Sequence, residues 1–271
     1  MKNNIRLLLI QNKAILGDRE ANFKRINELL EPFKDKKFDL IVFPELWNVG
    51  WACEKFLEMA EESENSETIN FLKGVAKRFS SNVVGGSFVR KTNDGELKNS
   101  CPILDREGNI IDIYDKMHLY SYAGATEGKY ITQGNRLVLA DTDIGKLGIT
   151  ICYDIRFPEV YRKYAFEGAD ILINVAAWGR HKENQWTTLQ KARAIENQIF
   201  MLAVCQTGII EKDMYNLGHS MVINPLGDVI SMLKYEEKAL EAEIDLEELI
   251  SLRSAIPTLN DVHEKYEFSE V

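Results

Sequence analysis

The sequence predicts an α/β fold in which two sheets pack together and helices cover their outer faces, an expectation that rests on three observations. Short apolar runs at 5–10, 38–43, 147–151, 170–175 and 199–204 read as strands, several buried on both faces. Helical stripes separate many of them, as βαβ units require. A meander at 83–114 and a hairpin at 218–233 follow the two α/β portions, giving the chain two comparable halves.

Taken in order, Gly17-Asp18 supplies a turn and N-cap for a helix whose face carries Phe23, Ile26, Leu30 and Phe33 and which ends near Lys34. The run at 38–43 leads into Pro44-Glu45-Leu46-Trp47. Ser66 caps a helix with the stripe Ile69, Leu72, Ala76 and Phe79. Segments 83–89, 97–104 and 110–114 are strand-like and separated by Asn93-Asp94-Gly95 and Glu107-Gly108-Asn109, so they predict an antiparallel meander. Within the first, Gly85-Gly86 marks a strand irregularity or bulge rather than a phosphate loop. The polar stretch 120–136 is too long for a mere connector and predicts a lid. Past the apolar run ending at Ile151 come Cys152 and Pro158-Glu159, a good helix opening. Helices close near Gly168 and Asn197, segment 239–244 is a last strand, and 245–271 is a short helix and polar tail.

At 271 residues with no dividing linker, the chain predicts a single domain over 1–271. A net charge of −9 argues against nucleic acid or an anionic membrane as partner. The longest apolar run is too short to span a bilayer, and 1–11 lacks a cleavage site, so neither membrane nor signal peptide is expected. Four cysteines at 53, 101, 152 and 205 form no Cys-x-x-Cys pair, which predicts a reduced cytoplasmic protein without a metal or redox centre. No nucleotide fingerprint occurs, and no cofactor is expected. The acidic patch at 61–67 reads as solvated surface.

Three strand ends carry chemistry: Glu45, Lys116 and Cys152. A carboxylate takes a thiol proton, the thiolate attacks a carbonyl carbon, and an ammonium stabilises the oxyanion, with the Tyr153 N–H as a second donor. The helix opening behind Cys152 is expected to stabilise its thiolate. Taken singly, each has a plain alternative as a cap, a surface charge or a packing thiol. Cys53, Cys101 and Cys205 read as packing, and His118 and His219 as satisfied polar residues.

Phe43-Pro44-Glu45-Leu46, Asp115-Lys116-Met117-His118-Leu119 and Ile151-Cys152-Tyr153-Asp154-Ile155-Arg156-Phe157-Pro158-Glu159 resemble the three signature blocks of the nitrilase superfamily of carbon–nitrogen hydrolases. Gly218-His219-Ser220 and Asn224-Pro225-Leu226-Gly227 extend the resemblance along nearly the whole chain. It implies a four-layer αββα sandwich that assembles as a homodimer or higher homo-oligomer. It also implies Glu45 as general base, Lys116 as oxyanion stabiliser and Cys152 as the nucleophile of a thioester. Glu127, in Glu127-Gly128-Lys129-Tyr130, matches the second glutamate of many members.

Tyr153-Asp154 after the cysteine resembles the amidase branches, since nitrilases carry Trp-Glu there. Gln185-Trp186 and Lys191-Ala192-Arg193-Ala194 are similar to the omega-amidase group. That implies a small-molecule substrate, a dicarboxylic acid monoamide such as 2-oxoglutaramate or succinamate. Arg180 is the expected anchor for its free carboxylate, an exposed loop charge being the alternative, and Arg156 is expected to serve the structure. An N-carbamoyl amino acid or other linear amide hydrolase, and a scaffold on the same fold, remain the competing readings.

Overall fold

The computed structural model describes residues 3–121, 124–211 and 214–263. Met1 and Lys2, Tyr122 and Ala123 of the expected lid, and 264–271 of the expected tail lie outside the described residues.

Strand β1 (Asn4–Gln11) leads into α1 (Arg19–Leu30), where the Asp18 carboxylate caps the Ala21 N–H at 3.0 Å. Pro32 stops this helix short of Phe33, since proline has no amide proton to continue the ladder; Phe33 ends a single 3-10 turn. Next come β2 (Leu40–Val42), α2 (Phe56–Met59), β3 (Glu61–Glu62) and α3 (Glu67–Phe79). Ser66 caps α3 through the Ile69 N–H, and the stripe of Ile69, Leu72, Ala76 and Phe79 is buried. The meander is β4 (Asn82–Val84), β5 (Phe88–Lys91), β6 (Leu97–Leu104) and β7 (Ile110–Asp115).

The second half opens with β8 (Leu139–Thr142) and β9 (Gly145–Ile151), then α4 (Pro158–Phe166), β10 (Ile171–Ala176), α5 (Glu183–Asn197) and β11 (Phe200–Cys205). A two-stranded ribbon of β12 (Thr207–Glu211) and β13 (Met214–Leu217) follows, which no periodicity announced. The chain finishes with β14 (Met221–Ile223), β15 (Val229–Met232), β16 (Lys238–Asp245) and α6 (Leu246–Ala255).

One sheet runs β16-β1-β2-β4-β6-β5-β3 with β7 paired to β6; the other runs β15-β14-β11-β10-β9-β8. Each has a parallel centre, β1-β2-β4 in the first and β9-β10-β11 in the second. Side chains alternate as the two-residue strand period requires. Ile5, Leu7 and Leu9 join Leu40 and Val42 in a core shared with Ile149, Ile173 and Leu202 of the second sheet, while Leu8 and Ile10 pack with Ile26 and Leu30 of α1 and Leu72 of α3. On the far side, Tyr161 and Tyr164 of α4 and Trp186 of α5 cover the second sheet. The layers are helix, sheet, sheet, helix.

Two local expectations are corrected. The run at 83–89 is not one strand. Gly86 has φ +64°, and a Cβ there would lie 2.1 Å from the Pro44 carbonyl, so the chain breaks to pass against the end of β2. The first piece, β4, pairs parallel to β2 and so belongs to the α/β portion rather than the meander alone. The acidic patch is also not all surface. Glu61 is buried and accepts hydrogen bonds from Ser66, Thr68 and Asn48 while pairing with Arg19 at 3.2 Å. A carboxylate so supplied with donors is stable inside.

Candidate active site

The carboxyl ends of β2, β7 and β9 bring Glu45, Lys116 and Cys152 together, and the two sheets contribute different members. The seam between sheets, rather than one sheet edge, forms the site.

Glu45 follows β2 and is buried. Its backbone is held by Gln206, whose amide donates to the Glu45 carbonyl at 2.5 Å, and by Ser87, whose hydroxyl accepts from the Leu46 N–H at 3.1 Å. Its carboxylate takes Lys116 Nζ at 2.8 Å and Asn99 Nδ2 at 3.0 Å on Oε1, and the Ala177 N–H at 2.8 Å on Oε2. Lys116 is fully buried, with Nζ 3.0 Å from both oxygens of Glu127 and 5.3 Å from the Trp51 ring centroid. Burial alone would lower its pKa, but the charges of Glu127 and Glu45 outweigh it and hold the ammonium well above its ordinary value. Glu127 opens a short 3-10 turn, accepts the Tyr120 N–H at 2.7 Å and is also fully buried. Its pKa is raised, first by burial, with the Lys116 charge opposing and the Glu45 charge adding.

Cys152 stands at φ +49° where β9 turns into the 3-10 segment Cys152–Arg156. A non-glycine residue in that region is held by its surroundings. Here the restraint is Asp154, whose buried carboxylate accepts from the Ile151 N–H (2.9 Å), the Tyr114 hydroxyl (2.7 Å) and the His118 N–H (3.1 Å). His118 Nδ1 lies 2.7 Å from the same carboxylate and its ring stacks on Phe157 at 3.6 Å. Arg193 clamps the Ile155 carbonyl. Asp154 therefore ties the cysteine turn of one sheet to the Lys116 strand of the other.

The expected stabilised thiolate is corrected. Burial, then the Glu45 charge, push the Cys152 thiol well above its ordinary value, and Lys116 offsets only part of this. A short 3-10 turn precedes α4, so the helix N-terminus at Pro158 stands past the thiol rather than beneath it. Cys152 rests as a thiol with the Glu45 carboxylate beside it.

Arg180 is not brought to this cluster. Its guanidinium lies 4.3 and 5.1 Å from the ring centroids of Tyr235 and Tyr215, lining a cavity of about 410 Å³ with Lys13 and Arg25. Two other cations stand nearer, flanking Trp178 at 5.0 Å each: Arg156, which bonds Gln185 at 2.6 Å, and Lys182, 3.3 Å from the Tyr120 hydroxyl. Tyr120 and Tyr153 meet edge to face at 5.6 Å, so this aromatic rim adjoins both Cys152 and Glu127. Asn99 was not singled out from the sequence, and Asp154 only as a mark of the amidase branches, not as a residue of the site. Asn99 sits unmarked in a strand, whereas an acid two places past a candidate nucleophile was a usable signal.

A buried thiol beside a carboxylate and an ammonium, where strands of two packed sheets end, has the groups that attack on an acyl carbon requires. The carbon–nitrogen hydrolase family model matches residues 8–254, and the chain belongs to that family. It is 37% identical over 247 residues to the 2-oxoglutaramate amidase of Bacillus subtilis (strain 168), covering 91% of this chain and 93% of that protein. It is 31% identical to the chloroplastic omega-amidase of Arabidopsis thaliana over 90% of this chain and 69% of that one. The crystal structure of Saccharomyces cerevisiae Nit3, a member of branch 10 of the nitrilase superfamily, superposes with a TM-score of 0.87 at 28% identity, covering 95% of this chain and 96% of that one.

Proposed function

We propose that the chain hydrolyses the terminal amide of a small dicarboxylic acid monoamide, of the 2-oxoglutaramate or succinamate type, to the acid and ammonia. The observation that carries this reading is the cluster of Glu45, Lys116 and Glu127 beside Cys152, with Arg156 and Lys182 standing as cations at its aromatic rim. The similar amidases named above support the substrate class.

Glu45 accepts the Cys152 proton as sulfur attacks the amide carbon, and the carbonyl pair moves onto oxygen. Lys116 has two contacts to Glu127, so one N–H can turn to the oxyanion while the other keeps the ammonium in place. The Tyr153 N–H, next along the turn, is the second donor. Collapse breaks the C–N bond, the leaving nitrogen takes the proton from Glu45, and a thioester remains. Water then gives its proton to Glu45 and attacks; the acid departs and the proton returns to sulfur. Because the resting thiol is neutral, proton transfer and attack proceed together when substrate arrives.

The free carboxylate of the substrate meets Lys182 and Arg156 rather than Arg180. Among the described residues neither of these two has an ion-pair partner, and the Arg156 Nε is buried without a hydrogen bond. The active unit is a homodimer, for which the exposed Ile195 and Leu226, on neighbouring surface, supply apolar area. A reducing, cytoplasmic setting suits the four free cysteines.

The test is ammonia release from 2-oxoglutaramate, succinamate, neutral amides of equal length and N-carbamoyl amino acids, with Cys152→Ala as control. Omega-amides should be preferred, and Lys182→Ala and Arg156→Ala should raise KM for them but not for neutral amides, while Arg180→Ala changes neither. Equal turnover of neutral and acidic amides would sink the substrate class. Light scattering of the purified protein reads the dimer.

A further inference from the structure

Besides Lys116, one side chain among the described residues bonds both buried acids. Asn99 lies in β6, is 1% exposed, and its amide nitrogen is 3.0 Å from Glu45 Oε1 and 3.1 Å from Glu127 Oε1. Lys116 Nζ bonds the same two oxygens, so two donors and two acceptors close a four-cornered ring. The Asn99 carbonyl also accepts the Lys116 N–H at 2.9 Å, which anchors the ammonium from its own backbone.

We propose that Asn99 is a positioning residue for the reaction, holding the carboxyl groups of Glu45 and Glu127 side by side so that Glu45 is placed to take the thiol proton. The inference rests on the reading of Glu45 as base. Three features favour this role over simple packing. The amide supplies one N–H to each acid and adds no charge. A second cation in its place would bind the carboxylates more tightly and make Glu45 a poorer base. The amide orientation is fixed by its partners, because a flipped group would set oxygen against two carboxylate oxygens. That orientation leaves Asn99 Oδ1 buried without a hydrogen-bond partner, a penalty that an apolar packing residue would avoid.

The readout is alkylation of Cys152 by iodoacetamide as a function of pH, followed by mass spectrometry. Alkylation of a thiol with a raised pKa needs base assistance, so the acid limb of the profile reports ionisation of the coupled acids. Removing a donor from ionised carboxylates raises their pKa. In Asn99→Ala the acid limb should move up by about one unit, so that rates on the limb itself fall roughly tenfold at a given pH while the plateau above it changes little. A loss by the same factor at every pH, or an unmoved profile, would overturn the proposal. Asn99→Asp keeps the volume and adds a like charge, so its limb should move further up. If only this variant folds, an unmoved limb is again fatal; failure of both to fold assigns Asn99 to packing and also overturns the idea. The assay uses no amide. A shifted limb with no ammonia release from omega-amides would leave this inference standing while removing the proposed substrate.

Discussion

Replacing Asp154 by alanine should damage this protein more than a change at any surface acid. Its carboxylate accepts the Ile151 and His118 amides and the Tyr114 hydroxyl, and lies 2.7 Å from His118 Nδ1, all at a fully buried position. Alanine leaves those three donors without an acceptor in a space closed to water. An orphaned buried donor costs about 1–3 kcal/mol, so the loss should be on the order of 4 kcal/mol. That is a large share of the ~5–15 kcal/mol that keeps a domain folded. Tyr114→Phe isolates one contact, a hydroxyl donating to a carboxylate, and should cost ~1.5–3 kcal/mol. Urea denaturation followed by circular dichroism measures both through the midpoint at constant slope. Because Asp154 joins the cysteine turn to the Lys116 strand, kcat should fall with stability in both variants, and further in Asp154→Ala. A loss below about 1 kcal/mol in Asp154→Ala, or a greater loss in Tyr114→Phe, would refute the network reasoning.

Other perturbations read other parts of the seam. In Gly86→Ala the new methyl meets backbone at Pro44 and Phe43, which cannot swing aside; about 3 kcal/mol and most ammonia release should be lost, as thermal melts and turnover would record. Lys116→Met leaves two buried carboxylates with neutral donors only and should cost ~3–5 kcal/mol. The Glu127 pKa, already raised in the fold, would rise further, so the favourable protonated state is lost as pH climbs; the stability deficit should grow from pH 5 to 8, and a constant deficit would contradict this. At alkaline pH the buried thiols dominate. Burial pushes Cys205 up to about 12 from its ordinary 9.0 and raises Cys101 as well, so their contribution is full below pH 9 and fades as pH rises toward 12. The urea midpoint should therefore fall between pH 8.5 and 10.5, and Cys205→Ala should flatten that slope.

Strand ends were legible in the sequence because burial writes itself as unbroken apolar runs, and a polar residue just beyond such a run is conspicuous. Glu45, Lys116 and Cys152 were found that way, and the structure brings them together. Ser66 and Asp18 were legible as caps because their bonds reach only three residues along the chain. What could not be read depends on distant partners. Asn99 reaches acids 54 and 28 residues away. Glu61 looked like surface until Arg19, 42 positions before it, was seen to pair with it. Arg180 was expected near the thiol because it follows the strand beside that of Cys152. The chain instead turns there so that Lys182 reaches Tyr120 and Arg180 faces Tyr235. The sense of the thiol shift depended on the Glu45 charge and on burial, neither visible in the motif around Cys152.

The division of the reacting groups between two sheets also divides them along the chain. Glu45, Lys116 and Glu127 all precede the turn between β8 and β9, and Cys152 follows it. Severing the polypeptide at that turn would leave one fragment with Glu45, Lys116 and Glu127 but without Cys152, and another with Cys152 but without Glu45. Neither fragment holds the means to cleave an amide. Their apolar inner faces remain complementary, so ammonia would appear only after reassembly, and its rate would report how well two separate polypeptides find each other.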